Sequence, residues 1–292
     1  MNNLKQIQEK QNEDKMLRCQ FAARECFNQA ELLTYASWLL SILSALTLFL
    51  PDNESYVLIF VPLGIDILAY LFHYLAEKKV SIAAKLRNYF DCIVLNIDLN
   101  KYSKNEIHRI WEIVNKICHK HQSKCKIQIN HTGRDTPPGV KNWYEFPNKQ
   151  SSDINPIFEC QRQNCWWNDK LCSRRLIASF GVMCILIFIA ITTMISFNIG
   201  AVRIIVCFLN LFFNLVDSIR ANIHYVHLSM KMNAIIETPD TEKHTSQIEH
   251  LQELICSRRE FPVLEINILH KLNALKWSET YEAMVNDSED IN

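Results

Sequence analysis

The chain has 292 residues, with 31 basic and 31 acidic side chains and therefore no formal net charge at pH 7. Its mean hydropathy of −0.05 suits a soluble protein of one or two domains, but that average hides a sharp partition. Apolar residues crowd into 32–76 and 176–219 while the rest is polar, which excludes a purely soluble chain and marks a membrane protein with soluble parts.

Taken in chain order, residues 1–31 are charged, carry no cleavable-leader pattern and read as a cytoplasmic N-terminal helix. A first apolar run at 32–50, "LLTYASWLLSILSALTLFL", and a second at 56–76 are separated only by "PDNES". A third at 176–196 and a fourth at 201–219 are separated only by "FNIG". Each run is long enough to cross ~30 Å of hydrocarbon as a helix, and such short links force antiparallel neighbours. The expectation is two transmembrane hairpins, 32–76 and 176–219. The first link carries Asp52 and Glu54 and no base, whereas Lys78, Lys79, Lys85, Arg87, Lys170, Arg174 and Arg175 flank the opposite ends. The positive-inside bias then places both termini and the middle segment in the cytoplasm, with Arg203 a weak exception.

Polar residues recur inside these runs. Asp66 lies mid-way along the second, and Arg203, Asn210, Asn214 and Asp217 follow helical spacing in the fourth. Buried polar groups in hydrocarbon face a bundle interior or water. Two readings stay open for this set: the lining of an aqueous path after oligomerisation, or interhelical hydrogen bonding within one chain. For Ser37, Ser41, Ser44 and Thr47 of the first run, interhelical bonding is the preferred reading.

Residues 77–175 hold 18 basic against 10 acidic residues, a net charge of +8, and read as a small basic cytoplasmic domain of α or α+β type. Such a surface attracts an acidic tail, anionic headgroups or a phosphate-rich ligand, and charge alone does not choose. "FDCIVLNI" (90–97) and "KIQI" (126–129) suggest strands. "SKNEIHRIWEIVNKICHK" predicts a helix, with Ser103 and Glu106 at capping-box spacing and Ile107, Ile110, Trp111, Val114, Ile117 and Cys118 as its apolar stripe. "GRDTPPG" (133–139) is a loop without the lysine of a phosphate loop. Residues 220–292, with 7 bases against 12 acids, read as a cytoplasmic amphipathic helical tail.

The stretch Pro156–Arg175, "PIFECQRQNCWWNDKLCSRR", raises the question of chemistry. Its cysteines, 160, 165 and 172, lack the paired spacing of a zinc knuckle, and His119 and His121 beside Cys118 and Cys125 match no strong metal site. No catalytic motif is present, so neither an enzyme, a metal nor a cofactor is expected. The eleven cysteines are scattered and read as mostly free thiols in a reducing compartment. Arg174 and Arg175 suit a membrane anchor, and Trp166 and Trp167 suit packing of the domain at the membrane face.

The same stretch carries a resemblance. Cys160, Gln161, Arg162, Asn164, Trp167 and Leu171, followed by Arg174 and Arg175, resemble the most recognisable motif of the bacterial SMODS-associated four-transmembrane pore-forming effectors of CBASS-type anti-phage defence. Asn168 stands where the family pattern has an acid, with Asp169 next to it. "NWYEFP" (142–147), an N-terminal stretch with Ile7, Gln11 and Asn12, and the tail "LQELICSRREFPVLEINILHKLN" are similar to other family segments in the same order. The resemblance implies a mainly α membrane protein whose four transmembrane helices form two hairpins around a small cytoplasmic domain. It implies an effector that binds a cyclic oligonucleotide made by a nucleotidyltransferase, assembles as a homo-oligomer and opens a pore in the inner membrane, causing abortive infection. It implies Cys160, Gln161, Arg162, Asn164, Trp167, Arg174 and Arg175 as signal-transmission or ligand-contact residues. Asp66, Arg203, Asn210, Asn214 and Asp217 are then the intramembrane polar candidates, and no DNA or RNA polymer is expected as a partner. The alternative is a membrane-anchored sensor or scaffold that recruits a partner without forming a pore.

Overall fold

The computed structural model describes residues 3–49, 57–97, 101–144, 156–197, 201–237 and 244–260. These are helical almost throughout: α1 (Asn3–Gln11), α2 (Asp14–Leu46, continued by a 3-10 turn at Thr47–Phe49), α3 (Val57–Leu95), α4 (Lys104–Lys120), α5 (Gln122–Gln128), α6 (Pro156–Phe197), α7 (Ala201–Glu237) and α8 (His244–Glu260). Among the described residues four helices are long and apolar enough to cross a membrane, within Asp14–Phe49, Phe60–Leu95, Leu176–Ser196 and Val202–Ile236. The hairpin links 50–56 and 198–200 lie outside the described residues.

The first hairpin is stitched antiparallel by its serines. Ser44 Oγ donates to the Pro62 carbonyl (3.4 Å), Ser37 Oγ to the Ala69 carbonyl (2.9 Å), and Cys19 Sγ to the Leu86 carbonyl (3.4 Å). These bonds step along α2 and α3 in opposite directions, and they extend well beyond the apolar runs. In the second hairpin α6 pairs with α7, with Ser179 and Ser218 hydroxyls 3.4 Å apart. α7 joins the hairpins through α2: Leu48, Ile204 and Cys207 form a small buried cluster, and the Thr47 hydroxyl lies 3.5 Å from Cys207 Sγ. Large apolar side chains are exposed in a belt from Leu32 to Phe49, Phe60 to Leu75, Ile177 to Ile195 and Val202 to Ile223, the surface that lipid covers.

Outside that belt a single hydrophobic core gathers residues from almost every segment: Phe21 of α2, Phe90 of α3, Ile110 and Val114 of α4, Cys125 of α5, Tyr144, Phe158 and Cys165, Met232 of α7, and Leu251 and Ile255 of α8. Among the described residues, the N-terminal stretch, the middle segment and the tail as far as Glu260 therefore contribute to one extramembrane core. Residues 31–32, 76–77, 175–176 and 219–220 each lie inside a continuous helix, so the core and the spans share α2, α3, α6 and α7.

The two expected strands are absent. Residues 90–95 form the last turns of α3 and 126–128 belong to α5. Both stretches are apolar and short, and such runs fit a buried helix as well as a strand. α4 starts where expected: Ser103 Oγ accepts from Glu106 N (3.3 Å), and Glu106 Oε2 accepts from Ser103 N (2.9 Å). Its buried residues are Ile110, Val114 and Cys118, with Ile107, Trp111 and Ile117 packed against the core. Residues 133–139 form a loop tied to α2 by Arg24, whose Nη1 donates to the Pro138 and Gly139 carbonyls at 2.9 and 2.8 Å. A Cβ at Gly139 would collide with the His131 backbone, so glycine is required there.

Candidate functional site

The centre of the extramembrane core is polar. Asp91 on α3 is fully buried and faces Arg259 on the last turn of α8, with Arg259 Nη1 donating to Asp91 Oδ2 at 2.6 Å and to Asn88 Oδ1 at 3.1 Å. The Tyr144 hydroxyl donates to Asp91 Oδ1 (2.6 Å), and Gln252 Nε2 approaches Asp91 Oδ2 (3.5 Å). A buried carboxylate is strongly destabilised unless paired, and here both oxygens are engaged. Burial pulls the Arg259 guanidinium down, but Asp91, Tyr144 and Cys256 push it up, and the net result lies above its ordinary value. Burial first, and then the Asp91 charge, hold the Tyr144 hydroxyl well above the usual phenol range, so it remains a donor.

Helical spacing explains how these groups meet. Ile248, Gln252, Ile255 and Arg259 follow one another at four, three and four residues, so one face of α8 brings two polar groups in beside two apolar ones. On α6, Phe158, Gln161 and Cys165 share a buried face. Gln161, fully buried, donates from Nε2 to the Ile248 carbonyl (3.0 Å) and to Gln252 Oε1 (3.1 Å). Asn164 Nδ2 donates to the Tyr144 hydroxyl (3.2 Å), and Arg258 Nη1 reaches the Asn164 carbonyl (3.5 Å). From the other side, Gln11 of α1 clamps the Tyr144 backbone: Nε2 donates to its carbonyl (3.2 Å) and Oε1 accepts its N–H (2.8 Å).

The structure thus brings Gln161 and Asn164 into one network centred on Asp91. Cys160 is buried beside them, and its thiol is held well above its ordinary value by burial, then by the Asp91 and Glu159 charges. Arg162 points elsewhere and pairs with Glu159 one turn back (2.7 Å). Trp167, Arg174 and Arg175 lie within α6, and their side chains, like those of Trp166 and Cys172, lie outside the described residues. Asp91, Tyr144, Gln252 and Arg259 were not singled out from sequence. The available signals were an aspartate inside the apolar "YFDCIVL" and the "SRR" ending an amphipathic helix.

The intramembrane candidates form a second, separate cluster. Asn210 and Asn214 both donate from Nδ2 to Ser41 Oγ, each at 2.9 Å. Ser41 Oγ in turn donates to the Ser37 carbonyl (3.0 Å). Asp66 adjoins Ser44 and Asn210, and its Oδ1 is buried without a hydrogen-bond partner among the described residues. Arg203 is half-buried, and Asp217 is exposed. Among the described residues no group of three or more His, Cys, Asp or Glu side chains is placed to hold a metal ion. The described cysteines are free thiols, buried except Cys184.

What the Asp91 network can do is hold α1, α3, α6 and α8 in one register while α3 and α6 run unbroken into the membrane. The description of the SMODS-associating 4TM effector domain matches residues 5–274. The chain belongs to this family. Neither the curated proteins nor the solved structures give a match. The effector is a multi-pass protein of the inner membrane acting in nucleotidyltransferase-linked anti-phage signalling.

Proposed function

We infer that the effector opens or assembles a pore in the inner membrane when a cyclic oligonucleotide engages its extramembrane core, which lies in the cytoplasm together with both termini. The observation that carries this reading is the buried network of Asp91, Arg259, Tyr144, Gln161 and Asn164, held on helices continuous with the spans. A ligand that favours a different seating of α8 would break bonds to both α3 and α6. Because those helices have no break at the membrane boundary, the displacement would be passed to the bundle. The net charge of +8 over residues 77–175 suits a phosphate-rich ligand. In the resting chain Asn210 and Asn214 are occupied with Ser41, so the polar set of spans one and four is closed internally. Opening requires these groups to exchange partners for water or for a neighbouring copy in a homo-oligomer.

Purified full-length protein in dye-loaded liposomes tests the reading. A panel of cyclic di- and trinucleotides is added, and binding and dye release are measured together. Release with a bound ligand is the expected result. Correctly inserted protein that binds a ligand and releases no dye would refute the pore.

A further inference from the structure

Arg258 occupies a position that the rest of α8 treats as core. Leu251, Ile255 and Arg258 follow one another at four and three residues, which is one face of a helix. All three are buried, Arg258 to 3% exposure. Arginine is almost never buried to this degree unless it is paired. Its neighbour Arg259 has Asp91, and Arg162 of α6 has Glu159. Among the described residues no acidic side chain pairs with Arg258. Its Nε is buried with no hydrogen-bond partner, and its Nη1 reaches one acceptor, the Asn164 carbonyl at 3.5 Å. That distance is the outer limit of a hydrogen bond, and a carbonyl inside α6 already serves the helix's own ladder.

A guanidinium taken out of water and left without an anion is strongly destabilising. The closed seating of α8 on α6 therefore carries an unmet demand for negative charge. The same interface leaves Gln161 Oε1 buried with no hydrogen-bond partner, so an acceptor there lacks a donor as well. A nucleotide offers both kinds of group. Its phosphate oxygens suit the planar fork of an arginine, and its amino and hydroxyl hydrogens suit an amide oxygen. Asn164 links this demand to the Asp91 network. Its carbonyl takes Arg258, and its Nδ2 donates to the Tyr144 hydroxyl, which donates to Asp91. An anion that draws Arg258 off Asn164 thus acts beside the group that holds Asp91.

We propose that Arg258 is the residue that receives a phosphate of the cyclic oligonucleotide, a buried cation kept without an anion until the ligand supplies one. The proposal rests on the ligand half of the proposed function and is independent of the pore. Full-length protein in detergent is titrated at constant ionic strength with inorganic phosphate and with the panel of cyclic di- and trinucleotides, and the unfolding midpoint is followed. Phosphate and at least one nucleotide should raise the wild-type midpoint. Arg258→Met removes the charge and keeps an unbranched apolar stem. It should leave the midpoint without ligand unchanged or raise it, and should weaken nucleotide binding about ten- to a hundredfold. Arg258→Lys keeps the charge and should retain the phosphate response. A fall in the unliganded midpoint of Arg258→Met as large as that of Arg259→Ala would show a structural role and overturn the proposal. So would nucleotide binding that survives Arg258→Met, or a wild-type midpoint that no nucleotide of the panel raises. Binding through Arg258 without dye release from liposomes would refute the pore and leave this site standing.

Discussion

In the extramembrane core, Asp91 accepts from Arg259, Tyr144 and Gln252, and charge is buried against charge. In the membrane half, Ser41 accepts from Asn210 and Asn214, and the pairing is of neutral amides with a hydroxyl. The physical demand is alike, because neither environment offers water to an unpaired polar group. The responses differ in strength. An ion pair with three donors is rigid and costly to break, whereas amide–hydroxyl bonds between membrane helices are each worth ~0.6 kcal/mol on average. A device that must hold one state firmly and let the other half rearrange is served by this division. The latch is strong in the extramembrane core and the seam is weak between the membrane helices.

The largest effect should come from breaking the ion pair alone. Arg259→Ala leaves the Asp91 charge buried without its partner and should cost about 3 to 5 kcal/mol, read as a lowered unfolding midpoint in detergent. Asp91→Asn combined with Arg259→Gln should recover part of that loss. If the double variant is no more stable than Arg259→Ala, the contrast between the two regions loses its electrostatic basis.

A smaller break isolates transmission. Gln161→Ala removes two hydrogen bonds from α6 to α8 and should cost about 1 to 3 kcal/mol. Insertion should remain normal, and ligand-dependent dye release should fall. A variant that instead failed to insert would place Gln161 in assembly of the spans.

In the membrane seam, Ser41→Ala withdraws the shared acceptor of Asn210 and Asn214. Its stability cost should be only about 1 kcal/mol, measured by unfolding in mild detergent. Its effect on leakage should be the larger one, with basal release rising because the amides seek other partners. Unchanged basal release would argue that these asparagines take no part in the pathway.

The mildest test is alkaline pH. Tyr144 and Cys160 are held above their ordinary values by burial. The unfolded chain then loses protons first, at a pH of about 8.5 for a thiol and 10 for a phenol. Stability contributed by these groups is complete below those values and declines as pH rises through them. Tyr144→Phe should flatten the decline above pH 10, seen in the unfolding midpoint against pH.

Much of this architecture was legible in the residues. The four apolar runs, the tight pairing implied by "PDNES" and "FNIG", and the Ser103–Glu106 cap follow from local composition and spacing. The motif around Cys160 also pointed to Gln161 and Asn164, though it equally marked Arg162, which pairs locally with Glu159. The strands expected at 90–97 and 126–129 were misread because a short apolar run carries no period of its own. Asp91 was hidden inside one of them.

By itself the sequence determined what must be buried in lipid, where α4 starts and which motif names the family, since hydropathy, capping and short motifs are local properties of the chain. Only the tertiary structure decided that α1, the middle segment and α8 share one core, that Asp91 meets Arg259 across 168 residues, and that Ser41 is the acceptor for both asparagines. Those pairings depend on how long helices cross in space, and a carboxylate and a guanidinium far apart in the chain carry no mark of each other until burial leaves them no other partner.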